Sequence, residues 1–340
     1  MNALYHYLRH YRLHLLRRRL QIRAWRKRRE LTLVRNNTKQ IGPKDVVLFT
    51  TLRNERIRLP YFLDYYRRLG VSHFVVIDNG SDDGSGDYLM AQDDVSLWRT
   101  HKSYGRARAG MDWINGLASR YAKGRWIIYA DVDEFLIYPF CDSRPLRALT
   151  DWLDEAGIQS FAAMLLDMYP KGQIDRAPYA EGQNPFEIAS WFDAGNYMIR
   201  KNEKFSNLWI QGGPRARLFF AEDPKNAPAL NKIPLVKWKR SNVFVSSSHM
   251  LLPSRLNKTY ETNGGEQVCG ILLHAKFVEP VLEKADDEVT RAEHYADGRE
   301  FARYAARLAE RPELWSVRSE KYLNWKQLET LGLMSRGNWA

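Results

Sequence analysis

Two aspartates separated by one residue, Asp131 and Asp133, follow the apolar run of residues 126–130. On an extended backbone both carboxylates would project to the same side, while Val132 would point into the core. Two carboxylates this close repel one another unless a cation or a proton neutralises them. Such oxygens suit Mg²⁺ or Mn²⁺, which also engage substrate phosphates. The pair therefore predicts a divalent-metal site, with Glu134 as a third acid that either supports the ligands or starts a helix.

Polar segments also follow two predicted strands earlier in the chain. Residues 50–55 read Thr-Thr-Leu-Arg-Asn-Glu, and residues 78–86 read Asp-Asn-Gly-Ser-Asp-Asp-Gly-Ser-Gly. Either segment alone is typical of an ordinary turn, which uses the same residue types. In an open parallel sheet, however, ligands bind beyond the carboxyl ends of the strands. Three polar strand ends in one chain therefore predict a binding edge.

The elements that must position these residues alternate between strand and helix. This order predicts an α/β fold, with a mostly parallel sheet and helices on both faces. Strands are predicted at residues 45–50, 73–77, 95–98, 126–130, 161–168, 242–247 and 268–273, and helices at 60–70, 104–121 and 145–156.

Charge is distributed very unevenly along the chain. The 340 residues carry a net charge of +12, but residues 1–40 hold 12 of the 52 basic residues and one acid, Glu30. The remainder is almost neutral, with 40 basic and 39 acidic residues. A nucleic-acid-binding domain should carry its basic residues on the folded body. We therefore expect no nucleic-acid partner.

The basic N-terminal segment has a helical pattern of apolar residues, with Arg on the other face. Such a helix is typical of elements that lie on an anionic membrane surface. A solvated arm, or a helix docked on a partner subunit, is the alternative for residues 1–30. The apolar residues are Leu4, Leu8, Tyr11 and Leu15, with Tyr5, Leu16, Leu20 and Trp25 at the margins.

Cysteine content and hydropathy indicate the compartment. Cys141 and Cys269 lie far apart, which favours free thiols in a reducing environment over a disulfide framework. The apolar runs are too short to span a bilayer, and Arg and His interrupt any signal-like segment at the N-terminus. We expect a cytoplasmic protein, with peripheral attachment to the inner face of the membrane left open.

In order along the chain, the Thr-Leu-Arg-Asn-Glu segment, the Asp-Asn-Gly-Ser-Asp-Asp-Gly-Ser turn, an Arg-bearing helix start and Asp-Val-Asp-Glu-Phe form a recognisable series. It resembles the family 2 nucleotide-sugar glycosyltransferases and their GT-A-fold relatives, in particular a bacterial subgroup with an Asp-x-Asp-Glu-Phe motif. The resemblance covers residues 44–280 and is strongest up to residue 136. It implies a Rossmann-like GT-A fold and a nucleotide-sugar donor. It further implies inverting transfer to a glycan or lipid-linked acceptor in cell-envelope polysaccharide synthesis.

The resemblance also assigns residues to the donor. The first strand end would line the nucleoside pocket, the second would contact the base or ribose, and the Arg-bearing segment would close over the ribose and diphosphate. The two arginines are otherwise exposed residues of a first helical turn. The donor-binding residues would be Thr51, Glu55, Asp78, Asp82, Arg106, Arg108 and Asp131.

By the same resemblance, Asp133 would ligate Mn²⁺ or Mg²⁺, with Asp131 contacting the sugar or ribose directly or through the metal. A downstream histidine commonly completes such a site. His274, which ends a predicted strand and is followed by Lys276, is the first choice, and His249 is the second. Either histidine is otherwise a structural residue.

The acceptor side is less defined. An inverting enzyme needs a base there, for which Asp167, Asp175 and Asp193 are candidates. Trp191 could stack on a sugar face, although such aromatics are more often packing residues. Arg215 and Arg217 could meet an anionic acceptor or form surface salt bridges.

We divide the chain into an N-terminal helix or arm (1–41), a catalytic domain (42–280) and a C-terminal helical extension (281–340). Within the catalytic domain, residues 42–140 would bind the nucleotide sugar and residues 141–280 would face the acceptor. Two other functions are compatible with the paired aspartates. One is a haloacid-dehalogenase-like phosphatase, with Asp131 as nucleophile and Asp133 as acid/base. The other is a non-catalytic protein that binds nucleotide sugars or nucleic acid.

Overall fold

The computed structural model describes residues 2–174, 178–261, 266–278 and 306–339, with side chains from residue 7 onward. Within these ranges the helices are α1 (Asn2–Lys27), α2 (Leu59–Leu69), α3 (Ser85–Met90), α4 (Met111–Tyr121), α5 (Leu146–Glu155), α6 (Pro185–Ile188) and α7 (Trp325–Thr330). The strands are β1 (Thr32–Arg35), β2 (Val46–Leu52), β3 (His73–Asp78), β4 (Val95–Arg99), β5 (Trp126–Tyr129), β6 (Glu134–Ile137), β7 (Ser160–Asp167), β8 (Trp191–Asp193), β9 (Tyr197–Asn202), β10 (Asn207–Gly212), β11 (Asn231–Lys237), β12 (Val243–Ser246), β13 (Met250–Leu252), β14 (Cys269–His274) and β15 (Ser319–Lys321).

A nine-stranded sheet in the order β1-β4-β3-β2-β5-β11-β7-β14-β6 forms the centre of the described structure. Strands β2, β3, β4, β5, β7 and β14 run in one direction, and β1, β11 and β6 run in the other. The structure confirms the predicted α/β fold class, with a mostly parallel, Rossmann-like sheet. Since antiparallel β11 and β6 start where their neighbours end, their first residues join the same edge as the parallel strands' carboxyl ends.

Helices cover both faces of this sheet, as the alternation predicts. On β2, Leu48 packs in a core that includes Phe62 of α2 and residues of α5. Its neighbour Phe49 faces the opposite way, into a second core that includes Ile114 of α4. Successive strand residues point to opposite faces, so a strand buried on both sides is apolar throughout.

Helix α4 starts later than the predicted residue 104. Residues 105–107 form a single 3₁₀ turn, and Arg108, Ala109 and Gly110 follow with φ of 55°, 51° and 74°. A right-handed helix cannot continue through three left-handed residues. The backbone also passes close to β2 here, since a Cβ on Gly110 would lie 2.9 Å from Oγ1 of Thr51.

Residues 2–41 pack on the body instead of forming a detached arm. Arg23 Nε of α1 donates to the buried Oδ2 of Asp112 at 2.5 Å. The two helices approach closely at Gly116 of α4, where a Cβ would lie 3.0 Å from the carbonyl oxygen of Ala24. Beyond α1, strand β1 pairs with β4 at the edge of the sheet. The sheet therefore begins ahead of the expected boundary at residue 42.

The predicted apolar face of α1 is only partly the one that packs on the body. Leu20 is buried and Leu16 is half-buried, whereas the rest of the described stripe is exposed. Residues outside the predicted stripe, Leu13 and Ala24, complete the buried face. The side chains of Leu4 and Tyr5 lie outside the described residues. The exposed members are Leu8, Tyr11, Leu15 and Trp25.

At the C-terminus, residues 281–305 of the predicted helical extension lie outside the described residues. The described part contains β15, which pairs with β8, and the short helix α7. Trp325 and Trp339 pack against Phe140. In the ranges that the structure covers, no helix combines the length and hydropathy needed to cross a membrane. Both cysteines are free thiols.

Candidate metal and donor site

The candidate site lies at the edge where parallel strands end and antiparallel strands begin. Asp167 ends β7 and His274 ends β14, and the two residues are in register on these neighbouring parallel strands. Asp133 lies in the turn between β5 and β6, and its carbonyl accepts from the amide of Ala275 at 2.8 Å. Residues far apart in sequence are thus brought together by strand register.

Four side chains form a continuous polar network at this edge. Nδ1 of His274 lies 2.7 Å from Oδ1 of Asp167, and Arg215 Nε donates to Oδ2 of Asp167 at 2.7 Å. Since an ionised carboxylate only accepts hydrogen bonds, Nδ1 carries the proton. The other ring nitrogen, Nε2, faces Asp133 and lies 3.3 Å from its Oδ2.

The charges in this network stabilise one another. Desolvation alone would raise the pKa of Asp133, but His274, Arg58 and Lys276 hold that pKa well below its usual range. Burial likewise opposes ionisation of Asp167, whose pKa is nevertheless lowered by Arg215 and His274. Both carboxylates are therefore anionic at neutral pH, which is the state that can hold a cation.

Asp131 has different partners, because the backbone turns after β5 and does not stay extended. The amide of Glu134 donates to the carbonyl of Asp131 at 3.0 Å, and Glu134 starts strand β6, not a helix. Tyr129 Oη donates to Oδ1 of Asp131 at 2.9 Å. Partial burial, with repulsion from Glu134 and Asp133, raises the pKa of Asp131 to about 7 against the attraction of Lys232.

Lys232, at the start of β11, lies beside Asp131 and Glu134 and was not among the predicted site residues. Its buried Nζ lies 2.8 Å from Oε1 of Glu134 and 4.0 Å from Oδ2 of Asp131. Strand β11 escaped prediction because Pro234 interrupts its pattern, and the sheet register shifts at this point. Without a predicted strand, the sequence did not indicate that Lys232 lies at this edge of the sheet.

The donor set fits a divalent cation only in part. Asp133 and His274 are adjacent, whereas Asp131 is turned toward Tyr129 and Lys232. Two ligands of one Mg²⁺ or Mn²⁺ ion lie about 3 Å apart in octahedral geometry, close to the spacing of these two side chains. Across the described part of the chain, no three His, Cys, Asp or Glu side chains converge as a preformed metal site. Substrate phosphates and water would have to supply the other ligands.

Two of the predicted donor residues organise the turns around them. Asp78 is buried, and its carboxylate accepts from the amide of Ser81 at 2.8 Å and from Nε of Arg99 at 3.0 Å. Glu55 pairs with the buried Arg58, N-terminal to α2, at 3.2 Å. Arg58 also lowers the pKa of Asp133, a link between strand ends that sequence spacing did not reveal.

The remaining predicted donor residues have diverse environments. Thr51 is buried beneath Gly110, and Asp82 is exposed in its turn. Arg106 is exposed, whereas Arg108 donates to Oδ1 of Asp112 and to the carbonyl of Val245 in β12. Arg108 therefore ties α4 to β12.

The acceptor-side residues form two ion pairs. Asp167 is bound to Arg215, and Asp193 accepts from Nε and Nη2 of Arg217 at 3.1 Å each and from Tyr169. Asp175 lies outside the described residues. The indole of Trp191 packs edge-on against Trp315.

His249, the second-choice ligand, is separate from the Asp133 network. Its Nδ1 lies 2.6 Å from the carbonyl oxygen of Asn231. Burial, with repulsion from Lys232, lowers the pKa of His249 to about 3. The imidazole therefore stays neutral at ordinary pH and has a structural hydrogen-bond partner.

No protein-family model and no curated protein sequence matches this chain. Among solved structures, a mannosyltransferase from Pyrobaculum calidifontis in complex with GDP-Man and Mn²⁺ is similar at 19% identity and a TM-score of 0.27, over 48% of this chain and 44% of that one. A 4-diphosphocytidyl-2C-methyl-D-erythritol synthase is similar at 17% identity and a TM-score of 0.24, over 41% of this chain and 66% of that one.

An apo UDP-glucose pyrophosphorylase is similar at 9% identity and a TM-score of 0.30, over 68% of this chain and 90% of that one. The chain spans less than half of the mannosyltransferase and about two thirds of the synthase. At such low identities and TM-scores, none of the three likenesses assigns an activity to this chain.

Proposed function

We propose that this protein is a metal-dependent glycosyltransferase that moves a sugar from a nucleotide-sugar donor to a glycan or lipid-linked acceptor. The observation that carries the proposal is the Asp133–His274–Asp167 arrangement at the carboxyl edge of the sheet. It combines an ionised carboxylate with an imidazole whose Nε2 faces that carboxylate at 3.3 Å. The edge is also where the two other polar strand ends lie.

In this proposal Asp133 and His274 hold Mn²⁺ or Mg²⁺, and a bound ion would stabilise the charge of the leaving nucleoside diphosphate. A carboxylate and an imidazole together favour Mn²⁺, because imidazole is the softer ligand. Asp167 orients His274 by accepting its Nδ1 proton. Asp131, more exposed than Asp133 and on the other side of the turn, contacts the sugar or ribose of the donor.

The transfer requires a group that accepts the acceptor's hydroxyl proton. Asp167 and Asp193 are both engaged by arginines, Arg215 and Arg217. We assign Asp167 to positioning His274, since its two oxygens already have partners. Asp193 would act as base only if the acceptor displaced Arg217. Inversion at the anomeric carbon and a role in cell-envelope polysaccharide synthesis are further parts of the proposal, supported by the sequence resemblance.

A donor screen tests the activity. The protein is incubated with a panel of nucleotide sugars, with and without Mn²⁺, and release of free nucleoside diphosphate is measured. We expect Mn²⁺-dependent hydrolysis of one nucleotide class and its loss in Asp133→Asn. Metal-dependent release of phosphate from simple phosphomonoesters, without preference for a nucleotide, would instead favour the phosphatase function and overturn the transferase proposal.

A further inference from the structure

Helix α1 has apolar side chains on two opposite faces. Leu13, Leu20 and Ala24 point inward and are at most 6% exposed. The outward side chains are between 43% and 55% exposed, although they include large apolar groups. The outward face consists of Leu8, Tyr11, Leu15, Ile22 and Trp25.

Leu8, Leu15 and Ile22 are seven positions apart, and Tyr11 and Trp25 are fourteen apart. This spacing keeps them on one stripe along about two-thirds of the helix. A helix of 26 residues is about 39 Å long, so the stripe forms an extended, shallow surface. Exposed apolar rows of this length mark interaction surfaces.

A row of arginines borders this stripe. Arg12, Arg19 and Arg26 are exposed and are also seven residues apart, so they lie along one flank. Arg18 is exposed within the stripe itself, and the exposed Arg29, in the 3₁₀ turn after α1, lies over the ring of Trp25 at 5.5 Å. Residues 1–29 contain no Asp or Glu, so no acid of the helix neutralises this charge.

The charge pattern argues against a second copy of the chain as the occupant. If two outward faces paired as a coiled coil, antiparallel helices would place the Arg12, Arg19 and Arg26 rows against one another. Parallel helices in register would place the two copies of Arg18, which is exposed within the stripe, against one another. Both arrangements put like charges together. A negatively charged lipid surface satisfies the arginines and accepts the Leu, Tyr and Trp side chains at the same time.

A basic groove opens beside the stripe. The groove has a volume of about 420 Å³. Trp25 lies at its margin, and its lining includes Arg28, Arg120 and Arg240. Three guanidinium groups beside an interfacial tryptophan suit the phosphate of a lipid headgroup. The groove therefore extends the basic surface of α1 onto the body of the protein.

We propose that the outward face of α1 docks the folded protein on an anionic phospholipid membrane, with the helix parallel to the surface. Leu8, Tyr11, Leu15, Ile22 and Trp25 insert among the headgroups, and the arginine row contacts lipid phosphates. The docking does not depend on the transferase activity. It differs from an amphipathic tail that folds on the membrane, because the inward face of α1 is already packed on the body.

Co-sedimentation of the full-length protein with vesicles tests the docking. Phosphatidylcholine vesicles with and without phosphatidylserine are compared at low salt. We expect binding only with phosphatidylserine, and a loss of about tenfold or more in Leu15→Asn/Ile22→Asn and in Arg12→Gln/Arg19→Gln/Arg26→Gln, since each basic side chain near an anionic surface contributes about fivefold. A control, Ile199→Asn/Leu323→Asn, changes two apolar residues that are also exposed and should bind like the wild type.

Thermal unfolding of each variant verifies that the body remains folded. No binding of the wild-type protein to phosphatidylserine vesicles would overturn the proposal, as would equal binding of the wild-type and the Leu15→Asn/Ile22→Asn proteins. A wild-type dimer in light scattering that becomes monomeric in Leu15→Asn/Ile22→Asn would assign the face to a second copy, and would also overturn it.

Discussion

Nδ1 of His274 lies 2.7 Å from Oδ1 of Asp167, a residue that is 107 positions earlier in the chain and in register with it on the adjacent parallel strand. This contact fixes the ring and leaves Nε2 facing Asp133. The geometry that makes His274 a candidate metal ligand therefore depends on a residue that would not itself touch the metal.

Replacing the histidine should weaken metal binding. We expect His274→Ala to lose most of the Mn²⁺-dependent rise in Tm, because it removes one of the two adjacent donors. His249→Ala is the matched control, since His249 is hydrogen-bonded to Asn231 and lies outside the network. Thermal unfolding across a Mn²⁺ titration measures both. Equal Mn²⁺ responses of the two variants would move the ligand role away from His274.

Asp167→Asn should act through the histidine. The amide has only one acceptor oxygen, and its NH₂ group would face either Arg215 or His274, which are both donors. In either case the imidazole loses its negatively charged acceptor. We expect the Kd for Mn²⁺ to rise by about 10–100-fold. Isothermal titration calorimetry measures this, with Asp151→Asn as a control because the Asp151–Arg147 pair is exposed. An unchanged Kd would show that Asp167 does not position His274.

Lys232→Met should destabilise the fold. The substitution leaves Glu134 buried without its cation, which costs about 3–5 kcal/mol in the free energy of unfolding. Adding Glu134→Gln should restore much of the loss, because the double variant has no unpaired buried charge. Urea denaturation of the wild type, both single variants and the double variant gives the coupling free energy. Strictly additive effects would contradict the ion pair's role.

His249 should make the protein sensitive to acid. Its pKa is lowered from 6.5 to about 3 in the folded state. Between these values the unfolded chain binds a proton that the native protein does not, so the stability from neutral His249 is complete above the unfolded pKa and is lost as the pH falls. The slope is at most about 1.4 kcal/mol per pH unit.

Comparing His249→Gln with the wild type in urea denaturation at a series of pH values isolates this contribution. The variant should lose less stability than the wild type as the medium becomes acidic. Parallel pH profiles of the two proteins would show that His249 already binds a proton in the native state.

Gly110→Ala should be more destabilising than Gly124→Ala. Both glycines have left-handed backbones, with φ of 74° and 80°, so each substitution costs about 1 kcal/mol for conformation alone. A Cβ at Gly110 would also meet Oγ1 of Thr51 at 2.9 Å, whereas nothing lies within 4 Å at Gly124. The free energies of unfolding of the two variants measure the difference, and equal values would show that β2 moves aside freely.

Much of the first half of the fold could be predicted from local pattern. Helix α2 begins beside Pro60 and ends at Gly70, as the sequence signals indicate, and strands β2, β3, β4 and β5 lie where their apolar runs are. The predicted start of α4 at residue 104 was wrong, because the left-handed residues 108–110 interrupt the helix while the apolar periodicity of the sequence continues across them.

Some residues of the candidate site could likewise be recognised from the sequence, and others could not. Asp131, Asp133 and His274 were recognisable from residue type and from their positions at strand ends. Their partners were not, since Lys232 lies on a strand that Pro234 conceals and Arg58 precedes a helix without any motif. Sequence distance gives no measure of which charged groups share a site once strands of opposite direction meet at one edge.

The sequence by itself determined the class of fold, the polar strand ends and the excess of positive charge in the first 40 residues, because periodicity and strand-end chemistry are local properties. Tertiary structure decided that Asp131 and Asp133 turn to different partners, that Asp167 orients His274, and that α1 buries one apolar face and exposes the other. These outcomes depend on strand register and on helix packing, which arise from contacts between distant segments and therefore appear only when the chain is folded.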